Sequence, residues 1–131
     1  MSTMRGANAY ARMGVETGVM SASPHQLIVM LFDGAQASLR AARLHLQQGN
    51  MAEKGKALSK AIDIVNNGLS ASLDHDKGGE IAGRLASLYD YVVRLLMQAN
   101  LHNDLQRIDE AARLLDDIGT AWRDIAPAAR S

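Results

Sequence analysis

A helix-start signal followed at once by an unbroken apolar run constrains this chain more than any other feature. In "SASPHQLIVMLFDGA" (21–35), Ser23 precedes Pro24 and Gln26, and six apolar residues, Leu27 to Phe32, follow directly. Ser23 is suited to accept from the first free backbone N–H groups, Pro24 is pre-set for a first helical turn, and Gln26 can reach back to the Ser23 N–H. A helix therefore begins near residue 24. Lining a core takes an apolar stripe along a helix, whereas six consecutive apolar residues form a belt around it. More than one packing face must cover that belt.

The first helix runs to about Gln48, where Gly49 can end it. Asn50, with Glu53 three residues on, repeats the capping pattern and opens a second helix. Its Leu58, Ala61, Ile62, Val65 and Leu69 recur at helical spacing, and it ends near Leu73. The segment "DHDKGG" (74–79) reads as a connection. Ile81, Leu85, Leu88, Val92, Leu95 and Ala99 mark a third helix ending around Asn100. Asn103 or Asp104 then caps a fourth, carrying Ile108, Ala111, Leu115, Ile118 and Trp122, with Pro127 limiting its extension.

Four amphipathic helices of about 20 residues with short connections bury their stripes most simply as an all-α, antiparallel four-helix bundle. Residues 1–20, with Gly6, Gly14, Gly18 and a broken apolar pattern, predict a mobile arm or short cap helix. The bundle spans 24–126 and a tail 127–131, so 1–131 is read as a single domain, consistent with 47% hydrophobic content.

Charge argues against nucleic acid as a partner. Fourteen basic residues balance fourteen acidic ones, leaving no positive field to gather phosphates. The aromatics Tyr10, Phe32, Tyr89, Tyr91 and Trp122 are too scattered for a base-stacking platform. There is no cysteine, which suits a reducing compartment, and Arg5, Arg12 and Glu16 interrupt any secretory apolar region. No apolar run is long enough for membrane insertion. The expected location is cytoplasmic.

Catalytic and metal constellations fail on spacing. A di-iron bundle needs Glu-x-x-His pairs, but Glu16, Glu53, Glu80 and Glu110 are followed three residues later by Val19, Lys56, Gly83 and Arg113. His25, His45, His75 and His102 never stand three or four residues apart, so no helical face offers a histidine pair to zinc. "DHDKGGE" is too short for a calcium loop, whose ligands spread over about twelve residues, and its glycines lack the phosphate-loop spacing. No metal or cofactor is expected, and no enzyme activity. His45, the one histidine on a helix body, leaves a histidine phosphotransfer bundle as the alternative function; loss of labelling by response-regulator partners on replacing His45 would identify it.

On a helix turning about 100° per residue, Leu27, Ile28, Leu31, Ala35, Leu39, Ala42 and Leu46 share a sector of about 120°. Phe32 lies at its edge, and Val29 and Met30 project to either side. Val93 and Met97 fall about 100–140° from the third stripe, Ile64 about 140° from the second, and Leu114 about 90° from the fourth. Such residues are surplus to a bundle and predict an apolar groove. Three covers stay open at this point: the N-terminal arm, a second copy of the chain in a weak homodimer, or a partner helix docked where the arm had been.

The stretches "SASPHQLIVMLFDGA" (21–35), "KALSKAIDIVNNGLSASLD" (56–74), "GGEIAGRLASLYDYVVRLLMQAN" (78–100) and "AW" (121–122) together resemble the FliS family of flagellar secretion chaperones, from about Tyr10 to Trp122. That resemblance implies a helical bundle that binds the C-terminal segment of flagellin, prevents premature polymerisation, and delivers its client to the flagellar type III export gate. It also implies that the segment around Tyr10 can cover part of the client surface, and it leaves a regulatory protein as a further candidate partner. The candidate contact or cover residues are Tyr10, Met20, Ile28, Val29, Phe32, Ile64, Tyr89, Val93 and Met97, with Ser23 and Asn50 as helix caps. Leu31, Leu85 and Leu115 are assigned to the core.

Overall fold

The computed structural model describes residues 22–125. Its elements are α1 (Pro24–Gln47), α2 (Met51–Asp63), α3 (His75–His102) and α4 (Leu105–Asp124). At its C-terminal end α2 runs on as a π-helical turn (Ile64–Leu69) and a 3₁₀ turn (Ser70–Ser72). Among the described residues every regular element is helical.

The start of α1 is built as its residues dictate. Ser23 Oγ accepts from the Gln26 N–H at 3.2 Å, and Gln26 Oε1 accepts from the Ser23 N–H at 2.9 Å, a complete capping box with Pro24 in the first turn. Replacing Ser23 with Ala removes one partner of that pair, and urea unfolding should register a loss of about 1 kcal/mol.

Gly49 follows the end of α1 with a positive φ of 77°, a conformation that glycine adopts without a Cβ penalty. Asn50 occupies the cap position of α2 as expected, but its side chain makes no capping bond. Its amide instead turns back to Gln48 Oε1 at 3.3 Å and to His45 Nδ1 at 3.5 Å. That competition within the turn corrects the assignment of Asn50 as a side-chain cap.

The α2–α3 connection is shorter than "DHDKGG" suggests. Asp74 caps α3, its Oδ1 accepting from Asp76 N–H at 3.1 Å and Lys77 N–H at 3.0 Å, so one helical turn forms inside the glycine-rich segment. Gly79 then breaks the helix with φ 49° and ψ −121°. At the far end Asn103 takes a left-handed conformation and closes α3, leaving Asp104 to cap α4 through Gln106 and Arg107.

Helix α1 packs against α2 and α4, and α3 packs against the same two neighbours. Cross-contacts fix α1 and α4 as antiparallel. His25 meets Trp122, Gln36 Nε2 donates to the Ala112 carbonyl at 2.8 Å, and the Arg43 guanidinium forks onto Asp109 at 2.9 and 3.3 Å. The core fills the space between the four rods, with Leu39, Leu58, Leu96, Ile108 and Leu115 among its fully buried members.

On α3 the buried face differs from the expected stripe. Ala82, Tyr89, Val92, Leu96 and Ala99 are buried and Leu85 half-buried, alternating three- and four-residue steps that keep one seam facing the bundle. The expected members Ile81 and Leu88 are exposed instead. Leu85, Val92, Leu95 and Ala99 keep their expected inward places, and rotating the seam by about half a residue, some 50°, turns Tyr89 and Val93 inward and Ile81 outward.

Candidate functional site

The four helices leave a cavity of about 290 Å³ at the end of the bundle where α1 and α3 begin and α2 and α4 finish. Ile28 and Phe32 of α1 face Ile118 and Trp122 of α4 across it. Leu69 and Leu73, at the end of α2, and Leu85 and Tyr89 of α3 complete its walls, while the exposed Ile81 and Ile125 stand at its rim. Among the described residues no charged side chain lines it.

Local backbone chemistry opens this end. In the π-helical turn the Ser70 N–H donates to the Val65 carbonyl, five residues back, so the turn widens just where Leu69 enters the wall. Ser72 Oγ donates to the Gly68 carbonyl at 2.6 Å and ties the following turn down. On the opposite side, His25 and Trp122 clasp α1 to α4. Their rings stack with centroids 4.9 Å apart, Trp122 Nε1 donates to the His25 carbonyl at 3.1 Å, and His25 Nε2 lies 2.8 Å from the Trp122 carbonyl. An ion pair between Arg123 and Asp33 closes the same corner from outside.

Of the residues singled out by sequence, Ile28, Phe32 and Tyr89 come together in this cavity. Burial pushes the Tyr89 hydroxyl up to a pKa of about 12, so it stays protonated at neutral pH. Val29 is half-buried outside the lining, and Met97 is 58% exposed further along α3. Tyr10 and Met20 lie outside the described residues.

Ile64 and Val93 do not belong to an exposed groove. They are 3% and 9% exposed and sit in the core, which corrects their assignment to client or cover contact. Ile64 packs against α1 beside Gly34, where a Cβ would stand 3.5 Å from Ile64 Cδ1, an ordinary packing distance. Val93 is turned in by the shifted seam of α3. Phe32, expected at the edge of its stripe, is only 2% exposed because the bare backbone at Gly119 admits its ring. Leu85, assigned to the core, borders both core and cavity.

Leu69, Leu73, Ile118 and Trp122 line the cavity but are absent from the residues that the sequence offers as candidates. Angular offset from a stripe does not find them, because they lie on the stripes and are left over only at the ends of the rods. The usable signal was axial: in an antiparallel bundle, the starts of the odd helices and the finishes of the even ones meet at one end.

This is a site for apolar groups. Among the described residues no three metal-ligating side chains gather, and no helix is long and apolar enough to cross a membrane. His45 lies half-buried in the last turn of α1, at the opposite end from the cavity and beside Asn50.

The family model described as flagellar protein FliS matches residues 6–129. The chain belongs to the FliS family. Its FliS relatives include the flagellar secretion chaperone FliS of Salmonella typhimurium, 59% identical over 129 residues, which cover 98% of this chain and 96% of that protein. The flagellar secretion chaperone FliS of Escherichia coli is 47% identical over 124 residues, 95% of this chain and 91% of its own length. That of Vibrio cholerae is 39% identical over 125 residues, 95% and 91% respectively. FliS is a family of chaperones in flagellar secretion, not of enzymes. The family match supports the chaperone reading over the phosphotransfer alternative for His45.

Proposed function

We propose that this chain is a cytoplasmic export chaperone for flagellin, which binds the C-terminal segment of its client, keeps it from polymerising and hands it to the flagellar type III export gate. The single observation that carries this reading is the match to flagellar secretion chaperones over nearly the whole chain. The end-of-bundle cavity suits the role, since it offers apolar walls to a client's apolar side chains. Ile28, Phe32 and Tyr89 are its proposed contacts on the described chain, and Met97 a second contact along α3. The segment carrying Tyr10 and Met20 serves as the removable cover, and the chaperone works as a monomer or weak homodimer.

A client segment that is disordered when free must be ordered on binding, at a cost of several kcal/mol. Side chains buried in apolar pockets offset that cost, each contributing about 1–3 kcal/mol. The balance gives a complex tight enough to protect the client and weak enough to release it at the gate.

Size exclusion of the purified chain with intact flagellin, and with flagellin lacking its C-terminal segment, tests the proposal. Co-elution with the intact protein alone is the expected result. Equal retention of both forms, or of neither, refutes it.

A further inference from the structure

Among the described residues, three that line the cavity carry a polar side-chain group, and two of those groups are already engaged. Ser72 Oγ donates to the Gly68 carbonyl, and Trp122 Nε1 donates to the His25 carbonyl. The third, the Tyr89 hydroxyl, has no hydrogen-bond partner among the described residues, although Tyr89 is only 3% exposed. A phenol is both donor and acceptor; no sealed side-chain oxygen or nitrogen lacks a partner among the described residues, so this hydroxyl opens to water in the free chain, and a client that displaces that water must pair it. The bundle itself gains little from that oxygen: phenylalanine would fill the same space.

We infer that Tyr89 is the specificity-determining hydrogen-bond donor of the cavity, and that its hydroxyl meets a backbone carbonyl at the end of an apolar helix of the bound client. The inference rests on the reading that the cavity holds part of a polypeptide client. Three features restrict the occupant to that chemistry. The absence of charged side chains among the described residues of the wall makes an ionised group costly to bring in. A volume of about 290 Å³ is too small for a helix about 10 Å across to lie along it, so a helix end and one or two side chains enter instead. The last carbonyls of a helix lack intrahelical partners, so a client helix that buries its end here needs a donor.

A hydroxyl so placed selects the client by its register. A segment that sets its free carbonyl against Tyr89 gains a hydrogen bond, whereas one shifted by a residue buries that carbonyl unpaired. Purely apolar walls hold any greasy segment almost equally well; the phenol separates registers.

The test compares the full chain with its Tyr89→Phe variant, using a peptide of the flagellin C-terminal segment as probe. Calorimetry gives the affinity, and the emission of Trp122, the sole tryptophan of the chain and part of the cavity wall, reports whether the cavity is filled. Tyr89→Phe should melt at or above the temperature of the unaltered chain, still shift Trp122 emission on binding, and bind about tenfold more weakly. Equal affinities would overturn the inference by showing that the hydroxyl is served by water alone. Binding without any change at Trp122 would overturn it too, by moving the client off the cavity while leaving the chaperone reading intact. No binding by the unaltered chain would overturn both.

Discussion

Phe32→Ala should lower the stability of the bundle by about 3–5 kcal/mol, measured by urea unfolding. The ring is 2% exposed and forms part of the cavity wall, so its removal costs transfer free energy and extends the cavity into the core. The surroundings collapse poorly. The space facing the ring is shaped by Gly119, where a Cβ would stand only 3.1 Å from the Phe32 Cδ1, and a glycine has no side chain to swing into the void. Against a total stability of about 5–15 kcal/mol for a domain of this kind, the loss is a large fraction. Phe32→Leu keeps most of the volume and should cost less than half as much. A loss below about 1 kcal/mol for Phe32→Ala would return the ring to the edge position that angular counting on α1 assigns it.

That contrast shows what the sequence makes legible. Local signals between neighbouring residues survive folding almost unchanged: Ser23, Pro24 and Gln26 build the start of α1, and Gly49 follows its end. Asn50 misleads because its amide has competing partners within its own turn, which no capping pattern reveals. The apolar face of α3 is broad enough to support two adjacent seams, one through Ile81 and Leu88 and the other through Ala82 and Tyr89. Choosing between them takes knowledge of α2 and α4, and therefore of tertiary contacts. Phe32 depends on a glycine of another helix, Gly119, and Ile64 packs against α1 near Gly34, at separations that no local count spans.

The surplus of apolar surface anticipated from the belt in α1 is present, but its position follows a different rule. Ile81, Met97 and Leu101 are exposed along α3, while the cavity collects the ends of all four rods. Offsets around a helix axis identify the first kind of surplus. Position along the axis identifies the second, and it is the second that makes a concave site.

Lys54→Met should cost about 2–3 kcal/mol, through a mechanism at the opposite end of the bundle. Lys54 is 4% exposed, continuing the Leu58–Ala61–Val65 face of α2 one turn back, yet it carries an ammonium. All three of its donors are used: Nζ reaches the Asn100 carbonyl at 3.0 Å, Asn100 Oδ1 at 2.7 Å and Asn103 Oδ1 at 2.7 Å. The partners are neutral dipoles at the C-terminal end of α3, where the partial negative charge of the helix terminus favours a cation. Methionine retains the bulk of the stem and removes the donors, so the variant isolates the hydrogen bonds from the packing. Asn100 and Asn103 then lose their shared anchor, and the left-handed turn at Asn103 that directs the chain into α4 is held by backbone bonds alone. Amide exchange should quicken over the last turn of α3 and the first of α4, with the turn at the start of α1 unaffected. A loss under about 0.5 kcal/mol, with exchange unchanged, would mean that water replaces the ammonium at no cost and that the α3–α4 turn stands without it.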